Sequence, residues 1–144
     1  MSTHATITIE TAPGRFETVG CHMHGYPAHT GRLLLAFFST PEARKRILKS
    51  GGIACLEDDG EIDRYRTRSR PEVNTCRQDA FNWLVDYCYL FTGGQWWLMG
   101  LDDKLLPLSH QIDKAPAHII HEQGVRLRKL RRALPSAEER AALN

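Results

Sequence analysis

Hydrophobic and polar positions alternate in HATITIE, with Ile7 and Ile9 on one face, and again in RFETVGCH, with Phe16 and Val19 apolar and Pro13-Gly14 between the two runs. This pattern predicts an N-terminal β-hairpin. After Gly25 the apolar positions become continuous in AHTGRLLLAFF, which predicts a buried helix. A second helix, PEARKRILKS, is expected to start after Ser39 or Thr40, with Pro41 in its first turn, and to end at Gly51-Gly52. RYRTRSR places Arg64, Arg66, Arg68 and Arg70 at alternate positions, so an extended chain there would show four guanidiniums on one face. Phe81, Leu84 and Val85 have helical spacing, predicting a helix between Asn74 and Val85 capped by Asn74 or Thr75. DYCYLFTGGQWWLMGL alternates about Gly93-Gly94 and predicts a second hairpin. Toward the C-terminus, Ile120, Leu127, Leu130 and Leu134 fall on one helical stripe, and Pro135-Ser136 opens a short last helix.

These elements predict an α+β fold. The two hairpins combine in a mainly antiparallel sheet, helices pack on one face, and a helical tail follows. Residues 1–103 form the expected core and 104–144 a C-terminal helical extension packed on the same domain. A chain of 144 residues can bury a core without disulfides. Its 42% hydrophobic and 25% charged residues are ordinary for a globular protein. The longest apolar run, Leu33 to Phe38, is far too short to span a membrane, and MSTHATITIE alternates where a secretion signal would be continuously apolar. No membrane partner is expected. The cysteines at 21, 55, 76 and 88 contain no CxxC pair, which with that N-terminus points to reduced thiols in the cytoplasm.

The succession CHMHGYPAHTGRLLLAFFSTPEARKRILKSGGIACL, then YCYLFTGGQWWLMG, resembles a family of small uncharacterised proteins of phages and prophages. Members carry Cys-His-Trp-Asp-Gly-Tyr-Pro after a first hairpin, a Leu-Leu pair, a helix, and a late Tyr-x-Tyr-Leu-Phe strand paired with a Trp-bearing strand. The resemblance covers roughly residues 5 to 100 and implies a mobile-element origin without a settled activity. Met23 and His24 stand where that family has Trp and Asp, so no role of the Asp transfers to this chain.

CHMHGYP, Cys21 to Pro27, concentrates groups used in metal binding and catalysis. In an extended strand His22 and His24 share a face while Cys21 and Met23 project inward from the other. The spacing is no standard zinc signature, so no metal site is expected, and a turn at Gly25-Tyr26-Pro27 explains the motif without chemistry. If the chain were an enzyme, His22 and His24 would act as acid and base and Arg64 would stabilise phosphate charge, as in a phosphodiesterase. No cofactor motif is present.

Net charge is only +2, so partners must be read from charge clusters. Arg44, Lys45, Arg46 and Lys49 crowd one predicted helix. Arg64 to Arg70 form a second cluster, and a third, including Arg128 and Arg131, lies near the C-terminus. Together they suit a phosphate-tracking surface, unless Glu57 to Asp63 pair with the arginines. Tyr26, Trp96 and Trp97 join Arg64, Arg66, Arg68, Arg70, Arg128 and Arg131 as candidate binding residues, because interfaces favour Trp, Tyr and Arg. The resulting expectation is a cytoplasmic protein that binds and modulates a host protein or nucleoprotein complex, with homodimerisation a further expectation. In view of the phage resemblance, that modulation takes the form of a counter-defence, anti-CRISPR-like inhibitor. The alternatives are a direct nucleic-acid-binding protein and a histidine-dependent hydrolase.

Overall fold

Side chains of the first strand alternate between two faces that are both buried, Ala5, Ile7 and Ile9 facing one layer of core and Thr6 and Thr8 the other side of the sheet. In the computed structural model, which describes residues 3–67, 69–82 and 84–113, this strand is β1 (Ala5–Ala12). It pairs antiparallel with β2 (Arg15–Cys21), as the hairpin pattern predicts. On its other side β1 pairs in parallel with β6 (Tyr87–Thr92), which turns antiparallel into β7 (Gln95–Met99). Gly93 and Gly94 both have left-handed φ, 60° and 82°, as a tight two-residue hairpin turn requires.

Three short strands complete that half of the chain: β3 (Ile53–Leu56), β4 (Ile62–Arg64) and β5 (Glu72–Asn74). With β8 (Leu105–Pro107) they give the order β4-β3-β2-β1-β6-β7-β8, and β5 also pairs with β2. The outer edge of β2 is therefore shared. β5 takes Phe16 to Thr18, and β3 meets Cys21. The fold is α+β, as expected, with two parallel contacts in an otherwise antiparallel sheet.

Helices α1 (Arg32–Phe37) and α2 (Pro41–Ser50) cover one face. Leu33, Leu34, Phe38 and Ile47 pack there on Ile7, Ile9, Val19, Cys21, Tyr89, Trp96 and Leu98. Thr40 caps α2 by accepting from the Ala43 amide at 3.2 Å, Pro41 occupies its first turn, and Gly51 ends it with φ 69°. The Trp96 indole donates to the Phe38 carbonyl at 3.1 Å and pins the junction between the helices. A second core of Phe16, Cys88, Leu90 and Met99 lies on the other face, with Phe81, Val85, Trp97 and Leu105 against it.

Four sequence expectations change. Phe16 and Val19 lie on opposite faces, because residues three apart in a strand have opposite parity. The Asn74–Val85 helix shrinks to one turn, α3 (Arg77–Ala80), and Leu84 is 94% exposed. The Asn82 side chain accepts from the Leu84 amide at 2.8 Å, a local bond that competes with helical pairing. The arginine segment is extended only to Arg64 and then bends. Finally, residues 105–107, placed by sequence in the extension after 103, form an edge strand, and the following turn buries Leu108 completely. The predicted helical tail, with Arg128 and Arg131, lies outside the described residues, as does Arg68. Among the described residues no helix is long and apolar enough to cross a membrane.

Candidate functional site

In CHMHGYP the strand ends at Cys21, and the chain crosses from β2 to the helical layer. The His22 and Met23 amides donate to the carbonyls of Ile53 and Ala54 at 2.9 and 2.8 Å, which holds the crossing against β3. His24 then adopts a left-handed φ of 54°. Gly25 follows, its amide donating to the Thr3 carbonyl at 2.9 Å and its carbonyl accepting from the Tyr89 hydroxyl at 2.5 Å. A Cβ at Gly25 would lie 2.7 Å from that of Ala5, so only glycine fits so close to β1. The Thr30 hydroxyl donates to the His24 carbonyl at 2.7 Å.

His22 and His24 do not share a strand face here. The left-handed residue breaks strand alternation, and the two imidazoles go to different neighbours. His22 stacks on Tyr65, ring centroids 3.7 Å apart and planes 13° apart, with His4 edge-on at 5.9 Å. His24 sits 5.5 Å from the ring of His29 and 6.2 Å from that of Tyr26. Cys21 is buried as expected, whereas Met23, also expected inward, is 40% exposed because the strand has ended.

A second cluster brings together His29, Cys55 and Asp58, a grouping the sequence did not indicate. The Cys55 sulfur lies 3.6 Å from His29 Nε2, and His29 Nδ1 lies 4.0 Å from Asp58 Oδ1. The order of groups is that of a nucleophile, base and orienting acid, but the protons are wrongly placed. Nε2 is also 2.7 Å from the Leu56 carbonyl, which can only accept, so the ring proton resides on Nε2 and that nitrogen is not a base for the thiol. Burial, helped by Glu57, Asp63 and Asp58, pushes the Cys55 thiol up to about 11. Burial likewise raises Cys21 to about 12 and lowers His29, keeping thiols protonated and the imidazole neutral at pH 7. This is a hydrogen-bonded clasp between the helical layer and β3. Among the described residues no group of three or more His, Cys, Asp or Glu is placed to hold a metal ion.

The arginine loop has the more accessible geometry. The Tyr65 amide donates to the Gly52 carbonyl at 3.1 Å, and Ser69 donates to the Gly51 carbonyl through its amide at 2.9 Å and its hydroxyl at 3.2 Å. Tyr65 and Ser69 are thus both tied to the left-handed end of α2, whose last turn carries the exposed Lys49. Arg64, Arg66 and Arg70 are all exposed. Among the described residues no ion pair joins Glu57, Asp58, Asp59, Glu61 or Asp63 to these arginines; the arginines that do pair with carboxylates among the described residues are Arg15, with Glu17, and Arg77, with Asp103. On α2, Lys45 and Arg46 are also exposed, while Arg44 is half-buried with its guanidinium 3.6 Å above the Phe91 ring.

Other candidates separate by burial. Tyr26 and Trp96 are 5% and 3% exposed and belong to the core, so neither offers a surface to a partner. Trp97 is half-buried on the opposite face, its indole donating to the Thr92 carbonyl at 3.1 Å. Tyr65, an aromatic between two arginines and 41% exposed, is the residue that sequence reasoning missed. The tripeptide Arg-Tyr-Arg was its signal. Comparison with models of protein families, with curated proteins and with solved structures finds no match to this chain.

Proposed function

We propose that this protein is a binding protein that docks on a phosphate-bearing surface of a host nucleoprotein complex and modulates it. The observation that carries this reading is the hook at Gly51-Gly52, which holds a loop with exposed Arg64, Arg66 and Arg70 and no carboxylate partner among the described residues. Guanidiniums with no carboxylate partner among the described residues, on a backbone tied down at two points, suit phosphate oxygens. The phage-like succession of motifs supports a counter-defence, anti-CRISPR-like role as the form of modulation. Binding is favoured over hydrolysis because the histidines that a hydrolase would use have separate neighbours, His22 stacking on Tyr65 and His24 lying beside His29 and Tyr26.

The test compares wild type with a triple variant, Arg64, Arg66 and Arg70 each replaced by Gln, as baits in a bacterial host lysate. The expected result is a nucleoprotein that wild type retains, that rising salt releases, and that the triple variant fails to capture. Equal capture by the folded triple variant overturns the reading.

A further inference from the structure

We infer that Tyr65 is a stacking platform for an unpaired nucleobase, so that the surface formed by the arginine loop selects single-stranded nucleic acid over duplex. The inference rests on the phosphate-binding reading and adds a base-reading element to it.

Four observations converge on Tyr65. Its ring is already supported from behind, parallel to His22 at 3.7 Å, and His22 is braced edge-on by His4. The support is anchored in the backbone, since the His22 amide donates to the Ile53 carbonyl and the Tyr65 amide to the Gly52 carbonyl. Yet the tyrosine remains 41% exposed. Arg64 and Arg66 flank it in the chain, both exposed.

Single-strand binders combine a cationic track for the backbone with aromatic faces on which bases stack, and stacking tolerates any base because every base has a π-face. A duplex offers the arginines its phosphates but keeps its bases stacked on each other, so the tyrosine gains nothing from it. Burial and the neighbouring His4 lower the basicity of His22, so the ring behind Tyr65 acts as an aromatic support and the phosphate attraction falls to the arginines.

Fluorescence anisotropy with labelled oligothymidine, oligouridine and a mixed-sequence duplex of equal length separates the two contributions. Wild type should bind both single strands more tightly than the duplex. Tyr65→Ala and Tyr65→Leu should each weaken single-strand binding about tenfold or more and leave duplex binding unchanged, and Tyr65→Phe should retain wild-type affinity. The triple arginine variant should weaken all three probes and flatten the salt dependence. Thermal melts establish that each variant is folded. If Tyr65→Ala and Tyr65→Leu bind single strands as wild type does while the triple variant loses affinity, the platform is refuted and the phosphate reading survives. If no variant changes any affinity, both fall. Failure of wild type to bind either single strand also refutes the platform, and the lysate capture then decides the phosphate reading alone.

Discussion

At the scale of single residues, Cys21 shows how burial decides chemistry. Its thiol, 2% exposed, lies 3.6 Å from the Met23 carbonyl and 4.0 Å from the Thr30 hydroxyl. Burial raises its pKa from 9.0 to about 12, so from pH 9 upward the unfolded chain releases a proton that the folded chain keeps. The stability linked to this group is therefore intact below pH 9 and is lost as pH rises toward 12. Cys55, raised to about 11, works in the same direction. Denaturant melts should show stability falling above pH 9 by about 1.4 kcal/mol per pH unit for each such thiol, and Cys21→Ala should make the fall shallower. An unchanged alkaline slope in that variant would show that the thiol ionises as readily in the folded state as in the unfolded one.

The elements are held by local signals that the sequence displays openly. Helix α2 begins at the Thr40 cap and ends at a left-handed glycine, and its last turn anchors the arginine loop through the Gly51 and Gly52 carbonyls. Thr40→Ala leaves the Ala43 amide without its side-chain acceptor and should cost about 1 kcal/mol in chemical denaturation. Because the cap lies at the far end of the helix from the hook, affinity for single strands should be unaffected. A parallel loss of binding would mean that the whole helix, and not its C-terminal turn, sets the loop.

For the whole molecule, the sheet closes only after the second hairpin. β8 pairs with β7, and the turn after it puts Leu108 at 0% exposure against the helical layer, where a Cβ at Gly31 would already come within 3.0 Å of it. A chain ending at Asp103 loses both, so it should be markedly less stable than one ending at Asp113, by about 2 kcal/mol or more for the buried leucine alone. Equal melting temperatures for the two truncations would restore the boundary at 103 that the sequence suggests.

Both hairpins, the two successive helices, the Thr40 and Gly51 caps and the α+β class were legible in the sequence, because alternation, helical spacing and glycine turns are properties of neighbouring residues. Legibility stopped where a choice lay between residues distant along the chain. Alternation put Trp96 and Trp97 on opposite faces, but only the approach of Phe38 made Trp96 the buried one. Nothing in CHMHGYP marked the end of the strand at Cys21. The close passage of Gly25 over Ala5 and the bond from Tyr89 decide it, and they separate His22 from His24. The same holds for the candidate site. Arg-Tyr-Arg was visible as a pattern, but the stacking of Tyr65 on His22, 43 positions earlier, exists only because β3 and β4 bring the loop back beside the end of β2. Pairing between distant strands depends on the free energy of the whole sheet, which no local period encodes.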